Sequence, residues 1–318
     1  MTADPTADPT AGSPGVVGVI MAGGQGTRMQ ASGEPTPKPL VSVLGSPLVE
    51  RNVMSLLRFG IVDVRVVLAA GARGAAIADW CAGRGTALAD AAGGRLTAIE
   101  EHEPLGNCGG LALATRGDRA DALLLFADNL TDLDLSALVR AHRDRDGALT
   151  LAVHDEPFTL PYGVVDETDG AVTAYREKPA LAVSVSSGLA VVSAEARDQL
   201  TGPAGLSDFA NRCVDAGLAV VTHRHRARWI DVNDTQKIAA AEAIVQSAPA
   251  EFEQFWATDA LAPSMPSAEG PEVSIDDLDA RGRCIRISTS SASREAVSAD
   301  AWRRVRAWQS ALAHEAPE

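Results

Sequence analysis

Short apolar runs and helix-like segments alternate along the first half of the chain. The apolar runs are continuous rather than alternating, as in the buried strands of a parallel sheet. We predict strands at Val16–Met21, Val62–Ala69, Leu96–Glu100, Ala122–Phe126 and Ala148–Val153. We predict helices at Pro47–Phe59, Gly74–Cys81, Gly109–Thr115 and Leu135–Arg143. This order indicates right-handed βαβ units and an α/β fold with a doubly wound, mostly parallel sheet.

The second half of the chain has a hairpin-like pattern from Phe158 onward. Strand-like segments flank Asp166–Gly170, whose composition favours a turn. We predict further strands at Tyr162–Val165, Ala171–Ala174, Val183–Val192, Val220–His225 and Trp229–Val232. We predict helices at Ser207–Ala216 and Thr235–Val245. The main domain is therefore expected to span 15–248, with a β-rich insertion that divides it into 15–155 and 156–248.

The two ends of the chain differ from this domain in composition. Residues 1–14 are of low complexity, and we predict a disordered tail there. Enrichment in Pro, Ala and Ser predicts a linker over 249–272. In the extension 273–318 we predict a strand at Cys284–Ser288 and an amphipathic helix at Ser298–Ala313. That helix would cover either the core or a second subunit, so a homodimer is one arrangement that the sequence allows.

Composition narrows the classes of partner. The formal net charge of −14 and the pI of about 4.9 argue against nucleic acid and anionic membranes, which both need a basic surface. The four cysteines are scattered without a Cys-x-x-Cys pair, so neither a zinc site nor a disulfide framework is expected. The sequence has no window of membrane-spanning length and no signal-peptide pattern at its start. We expect a cytoplasmic protein.

A glycine-rich loop follows the first predicted strand. It reads Gly23-Gly24-Gln25-Gly26-Thr27-Arg28, and Lys38 follows ten residues later. Glycines let backbone N–H groups converge on phosphate oxygens, and Arg28 and Lys38 add positive charge. The loop is neither a Walker loop nor a Gly-x-Gly-x-x-Gly fingerprint. This combination predicts a site for a nucleoside triphosphate.

Seven segments, in order, resemble the sugar-phosphate nucleotidylyltransferases, the nucleoside-diphosphate-sugar pyrophosphorylases. The resemblance covers roughly Val16 to Val245 and is nearest to the guanylyltransferase branch. The segments are Gly23–Arg28 with Pro37–Pro39, then Pro104–Gly109, Ala127–Thr131, Tyr162–Val165, Glu177–Pro179, Val185–Gly188 and Trp229–Asp231. The resemblance implies a Rossmann-like nucleotidyltransferase fold, with a nucleotide-binding half at 15–155 and an acceptor-binding half at 156–248.

The resemblance also implies a reaction and the residues that perform it. A sugar-phosphate oxygen would attack the α-phosphorus of a nucleoside triphosphate in line, and pyrophosphate would leave. The implied catalytic residues are Arg28, Lys38, Asp128 and Lys178, with Mg²⁺ as the cofactor bound by Asp128 and Asp231. The implied nucleotide-binding residues are Ala22, Gly23, Gly24, Gln25, Gly26, Thr27, Arg28, Lys38, Leu105, Gly106 and Gly109. The implied acceptor-binding residues are Gly110, Tyr162, Gly163, Glu177, Lys178, Ser186 and Gly188.

Departures from the family pattern lie at the acceptor end. Ser186 stands where the family usually has asparagine, and Val232-Asn233 replaces the usual Gly-Thr after the second aspartate. We therefore expect an unusual acceptor, such as a heptose, deoxy-sugar, amino-sugar or cyclitol phosphate, or a phosphonate. GTP is the expected donor, because the Pro-Leu-Gly-x-x-Gly segment is most similar to that of guanylyltransferases. Two alternatives stay open: a cytidylyltransferase for a phosphonate or phosphocholine, and a catalytically silent regulatory subunit that binds a nucleotide sugar.

Overall fold

The computed structural model describes residues 15–24, 36–253, 274–276 and 286–288. Contacts divide the chain into one compact unit that ends at Leu261 and a second that begins at Ala262. In the second unit, Ser274–Asp276 pairs antiparallel with Arg286–Ser288, which overlaps the predicted strand at 284–288. The predicted tail at 1–14 and the predicted amphipathic helix at Ser298–Ala313 lie outside the described residues.

A seven-stranded sheet forms the centre of the first unit. Numbered along the chain, the described strands of this unit are β1 Val16–Met21, β2 Ser42–Val43, β3 Ser46–Pro47, β4 Asp63–Ala69, β5 Arg95–Glu101, β6 Asp121–Phe126, β7 Asn129–Thr131, β8 Leu149–Thr159, β9 Val164–Thr168, β10 Ala171–Arg176, β11 Ala180–Val192, β12 Val220–Arg224 and β13 Trp229–Asp231. The strand order in the large sheet is β12-β8-β11-β6-β1-β4-β5. Only β11 runs antiparallel to its neighbours, so the predicted mostly parallel sheet is confirmed.

Helices cover both faces of this sheet. The described α-helices of the unit are α1 Leu48–Arg58, α2 Ala72–Trp80, α3 Thr86–Ala91, α4 Gly110–Ala114, α5 Leu135–Asp144, α6 Ala194–Arg197, α7 Leu206–Asp215, α8 Thr235–Ser247 and α9 Pro249–Glu253. Of these, α3 and α6 were not predicted, and α9 occupies the start of the predicted linker. None of the described helices has the length and hydropathy needed to cross a bilayer.

The core has two layers because β1 is buried on both sides along its whole length. Val16 and Ile20 join an apolar cluster that includes the inward faces of α1 and α5. Val17, Val19 and Met21 join a second cluster, which includes residues of α4 and α7. Alternate side chains of a strand point to opposite faces, so one continuous apolar run supplies both layers. This arrangement confirms the doubly wound fold.

Strands β8 and β11 extend well beyond the central sheet. Residues 155–159 of β8 pair with 180–184 of β11, and this outer ribbon is exposed. The hairpin of β9 and β10 lies between them in sequence and is also largely exposed. It confirms the hairpin predicted around Asp166–Gly170. The sequence pattern ended the first of these long strands at Val153, because the outer residues lack the continuous apolar character of a buried strand.

Candidate functional site

Two aspartates and a lysine meet at the carboxyl edge of the sheet. Asp128 lies two residues after β6, and Asp231 is the last residue of β13. Pairing of β7 with β13 places Asn129 opposite Asp231, which brings the two carboxylates to one place. Lys38, at the start of a single 3₁₀ turn, forms an ion pair with Asp128, and its Nζ lies 3.7 Å from Asp231 Oδ1. We call Asp128 and Asp231 the carboxylate pair.

The surroundings of Asp231 suit a hard cation. Burial raises the pKa of Asp231, and the nearby charge of Asp128 raises it further. Its Oδ2 accepts a 2.8 Å hydrogen bond from Asn233, but its buried Oδ1 has no hydrogen-bond partner in the described chain. Mg²⁺ typically takes one or two carboxylates and completes its shell with water and phosphate oxygens. The described residues hold no cluster of three or more His, Cys, Asp or Glu side chains that could bind a metal unaided.

The glycine-rich loop leaves the sheet beside this pair. β1 and β6 are adjacent and parallel, with Met21 opposite Phe126, so both strands deliver their following residues to the same edge. The Ala22 N–H donates a 2.7 Å hydrogen bond to Val67 O, which anchors the start of the loop on β4. Gly23 and Gly24 follow. The predicted phosphate ligands Gln25, Gly26, Thr27 and Arg28 lie outside the described residues, and their roles stay predictions.

Glu101 is a buried carboxylate that the sequence analysis missed. It is the last residue of β5 and only 8% exposed. Its Oε1 accepts a hydrogen bond from the Leu105 N–H, and its Oε2 lies so close to Gly23 that an added Cβ there would be 2.8 Å away. Glu101 therefore joins the two glycine-rich loops. Its place at the end of a strand, three residues before Pro104, is the pattern that could have identified it.

The second glycine-rich loop is held by backbone bonds from the segment before α7. Leu105 O accepts a 2.8 Å hydrogen bond from Ala204 N, and Ala204 O accepts a 3.0 Å bond from Cys108 N. The Asn107 side chain accepts a 2.9 Å bond from Leu206 N. Gly106 and Gly109 lie within this braced loop. The next residue, Gly110, packs tightly on the sheet, where an added Cβ would lie 2.8 Å from Val67 and 2.9 Å from Met21.

The predicted acceptor residues other than Gly110 fall in two regions. Tyr162, Gly163, Glu177 and Lys178 lie beside β9 and β10 on the exposed part of the chain, and Lys178 adopts a φ of +43°. In the described chain, no hydrogen bond or ion pair joins these four to Lys38 or the carboxylate pair. Ser186 and Gly188 lie in β11, where Gly188 packs against Asn129, the residue after Asp128. The structure thus places Ser186 and Gly188 close to Lys38 and the carboxylate pair.

The profile of the nucleotidyl transferase family matches residues 17–247, which is more than half of the chain. The chain belongs to this family. Membership confirms the family resemblance carried by the seven ordered segments. The matched range contains both glycine-rich loops, Lys38 and the carboxylate pair.

Named relatives include transferases for different bases and sugars. The chain is 28% identical over 189 residues to mannose-1-phosphate guanyltransferase beta-A of Xenopus laevis, an alignment that covers 57% of this chain and 51% of the relative. It is 26% identical over 237 residues to a UTP–glucose-1-phosphate uridylyltransferase of Synechocystis sp., covering 67% of this chain and 59% of the relative. The chain therefore spans about half to three fifths of the length of these curated relatives.

Solved structures share the fold. HddC from Yersinia pseudotuberculosis, solved in complex with GMP-PN, superposes with a TM-score of 0.55 at 20% identity, covering 72% of this chain and 98% of that one. The inositol-1-phosphate CTP transferase from T. maritima superposes with a TM-score of 0.53 at 18% identity, covering 73% of this chain and 96% of that one. At these identities the likeness establishes the architecture alone.

Proposed function

We propose that this chain is a nucleotidylyltransferase that joins a nucleoside triphosphate to a sugar 1-phosphate or sugar-like phosphate and releases pyrophosphate. The observation that carries the proposal is the meeting of Lys38 with the carboxylate pair at the edge where the glycine-rich loop begins. In open α/β sheets, ligands bind outside the carboxyl ends of the strands. The named relatives, which transfer guanylyl and uridylyl groups to sugar phosphates, support the same reaction class.

The chain's own residues provide positioning and charge. Asp128 and Asp231 would hold Mg²⁺, which when bound neutralises charge on the phosphates of the triphosphate. Lys38 keeps the two carboxylates together and presents its ammonium to the phosphate oxygens. Arg28 stabilises the charge that builds on the departing pyrophosphate. Because transfer is in line, these groups need to orient the reactants, and no covalent nucleophile is required.

Glu101 favours guanine as the base of the donor. Guanine presents two adjacent N–H donors on its Watson–Crick edge, and an ionised carboxylate accepts both. Uracil presents one such donor, and an adenine edge presents a donor beside an acceptor. The Glu101 carboxylate lies between the two glycine-rich loops, and we propose that the base of a triphosphate seated on the first loop lies beside it. We therefore assign GTP as the donor and Glu101 as the residue that selects it.

The acceptor is a phosphate attached to a hydroxylated ring. Lys178 binds its phosphate, Glu177 accepts hydrogen bonds from its hydroxyls, and Gly110, Tyr162 and Gly163 complete the site. Ser186 is shorter than the asparagine usual in the family, so it reaches less far into the acceptor site. The shortened side chain leaves room for a bulkier acceptor than a plain hexose phosphate, such as a heptose or amino-sugar phosphate.

Pyrophosphate release from a panel of reactions tests the proposal. GTP, ATP, CTP, UTP and dTTP are each paired with hexose, heptose, amino-sugar and cyclitol 1-phosphates, with phosphocholine and a phosphonate as further acceptors. We expect release with GTP and a sugar-like phosphate, dependent on added Mg²⁺ and abolished in Asp231→Asn. Turnover with CTP and phosphocholine or the phosphonate alone would favour the cytidylyltransferase alternative. Tight nucleotide-sugar binding without turnover on any pair would favour the regulatory one.

A further inference from the structure

A bulge in β11 sits directly behind the carboxylate pair. Pairing of β11 with β8 loses its register between Ser186 and Ala190. Gly188 within the bulge adopts a φ of +73°, and an added Cβ there would collide with the Asn129 side chain and lie 2.8 Å from the Phe126 ring. Such a conformation and close approach are open only to glycine. The fully buried Ser187 in this bulge contacts β7 and β13, the strands next to the two aspartates.

The Ser187 carbonyl joins those two strands. It accepts a 2.8 Å hydrogen bond from Asn129 Nδ2 and a 2.7 Å bond from Trp229 Nε1. Asn129 follows Asp128 directly, and Trp229 begins the three-residue strand that ends at Asp231. One oxygen atom therefore ties the strand after the first aspartate to the strand that delivers the second.

The Ser187 hydroxyl is fixed between two histidines. Its Oγ lies 2.8 Å from His154 Nδ1 and 2.8 Å from His225 Nε2. The hydroxyl has one proton, so it donates to one ring and accepts from the other. His154 Nε2 makes no hydrogen bond in the described chain but lies 3.4 Å from Glu156 Oε2, whose negative charge favours the proton on Nε2 and so leaves Nδ1 as an acceptor. Ser187 therefore donates to His154 and accepts from His225.

The same arrangement of protons also fits the surroundings of the second ring nitrogen of His225, Nδ1. Its Nδ1 is buried without a hydrogen-bond partner in the described chain. With the proton on Nε2, that atom is an unpaired acceptor rather than a buried donor. Burial and the neighbouring His154 and His223 lower the pKa of His225 to about 4, so the ring is neutral at neutral pH. The Ser187 hydroxyl proton then points to His154 Nδ1, and the His225 Nε2 proton points to Ser187 Oγ.

We propose that Ser187 is a positioning residue, whose hydroxyl is locked by His154 and His225 so that its carbonyl sets the spacing of Asp128 and Asp231. This proposal rests on one part of the proposed function, the binding of a cation by the carboxylate pair. No hydrogen bond in the described chain joins Ser187 to either carboxylate, so it acts through Asn129 and Trp229. Partners of metal ligands in this outer position typically change metal affinity or activity by about 10–100-fold when removed.

Three variants test the role. Ser187→Ala removes the hydroxyl, and Trp229→Phe keeps an aromatic ring but removes the N–H that reaches Ser187 O. Thr150→Val is the matched control, because it breaks another buried histidine–hydroxyl bond, the 2.8 Å contact between His142 and Thr150. Thr150 is near the start of β8, away from the carboxyl edge. Mn²⁺ alone is titrated into each protein and free Mn²⁺ is measured by electron paramagnetic resonance, with Asp231→Asn to identify the site.

We expect Mn²⁺ to bind about tenfold or more weakly in Ser187→Ala and several-fold more weakly in Trp229→Phe, while Thr150→Val stays within twofold. In turnover assays, the metal concentration for half-maximal rate should rise by the same factors, with kcat at saturating metal within about twofold. Unchanged Mn²⁺ affinity in folded Ser187→Ala, or no Mn²⁺ binding to the wild type, would overturn the proposal. If affinity falls in the variants but no substrate pair turns over, the positioning role stands and the proposed reaction fails.

Discussion

Replacing Gly23 with alanine tests how the two glycine-rich loops cooperate. The new Cβ would lie 2.8 Å from Glu101 Oε2, whereas ordinary contacts start near 3.4 Å, so the carboxylate has to move by roughly half an ångström or more. Its bond to the Leu105 N–H is then weakened or lost. A hydrogen bond to a charged group contributes about 1.5–3 kcal/mol, and the flexible Glu101 side chain recovers part of this by reaching water. We expect Gly23→Ala to lower the free energy of unfolding by about 1–2 kcal/mol.

The same displacement should change the choice of base. If Glu101 accepts guanine N–H groups, loss of one charged hydrogen bond reduces the preference for GTP over ATP or UTP by roughly 10–100-fold. The assay is kcat/KM for each triphosphate, read by pyrophosphate release at saturating acceptor. Gly24→Ala is the matched control, since none of the described residues lies within 4 Å of its added Cβ. Any effect of Gly24→Ala should be equal for all triphosphates.

Three results would refute this reasoning. A folded Gly23→Ala protein with the wild-type preference for GTP would remove Glu101 from base selection. Equal loss of rate with every triphosphate would place the effect on the phosphates instead. A Gly24→Ala variant that changes base preference as strongly as Gly23→Ala would show that the loop as a whole, rather than the Glu101 contact, controls selection.

Three further predictions concern charged groups. Arg28→Ala should lower kcat by about 10²–10³ with little change in thermal stability, and a folded variant with full turnover would place the triphosphate elsewhere. Lys178→Ala should raise the apparent KM for the acceptor while triphosphate binding stays within a few-fold. Lys178→Arg should also lower activity, because a planar guanidinium replaces a compact ammonium. Calorimetric titration with each substrate checks this, and selective loss of triphosphate binding would contradict it. Burial is the main cause that lowers the pKa of His225 to about 4, below the value of about 6.5 expected in the unfolded chain. The free energy of unfolding should therefore fall by roughly 1–3 kcal/mol as the pH drops from 6.5 toward 4, because the unfolded chain takes up the proton first. Urea unfolding across this range should show a shallower pH dependence in His225→Asn, and identical slopes would contradict the prediction.

The sequence predicted the central strands of the sheet well because they are buried on both faces. A continuous apolar run such as Leu123-Leu124-Leu125 shows clearly where a buried strand lies. The glycine-rich loop marks the end of β1 in the same way. The pattern was less informative where strands are exposed. The outer parts of β8 and β11 mix charged, small and apolar residues, so their continuation depends on pairing with each other.

The candidate site was predictable only where residue type is tied to a motif. Asp128 and Asp231 stand in recognisable segments, and the structure brings both to Lys38. Glu101 and Ser187 were missed because their importance comes from contacts distant in sequence. Nothing local marks a serine that meets two histidines distant in sequence. The strand-end position of Glu101 before Pro104 is a local signal, but its approach to Gly23 in the other loop is not visible in the sequence.

The antiparallel strand β11 has a consequence for how the chain folds during synthesis. Among the described strands, it alone joins β8 and β12 to the rest of the sheet, since it pairs with β6 on one side and β8 on the other. A nascent chain that ends near residue 155 thus leaves the apolar β6 with an open edge, which is prone to pair with other chains. That edge is covered only once residues 189–192 have left the ribosome and paired with β6. The two halves of the domain are therefore expected to fold as one unit, and expression of residues 15–155 alone should yield aggregates.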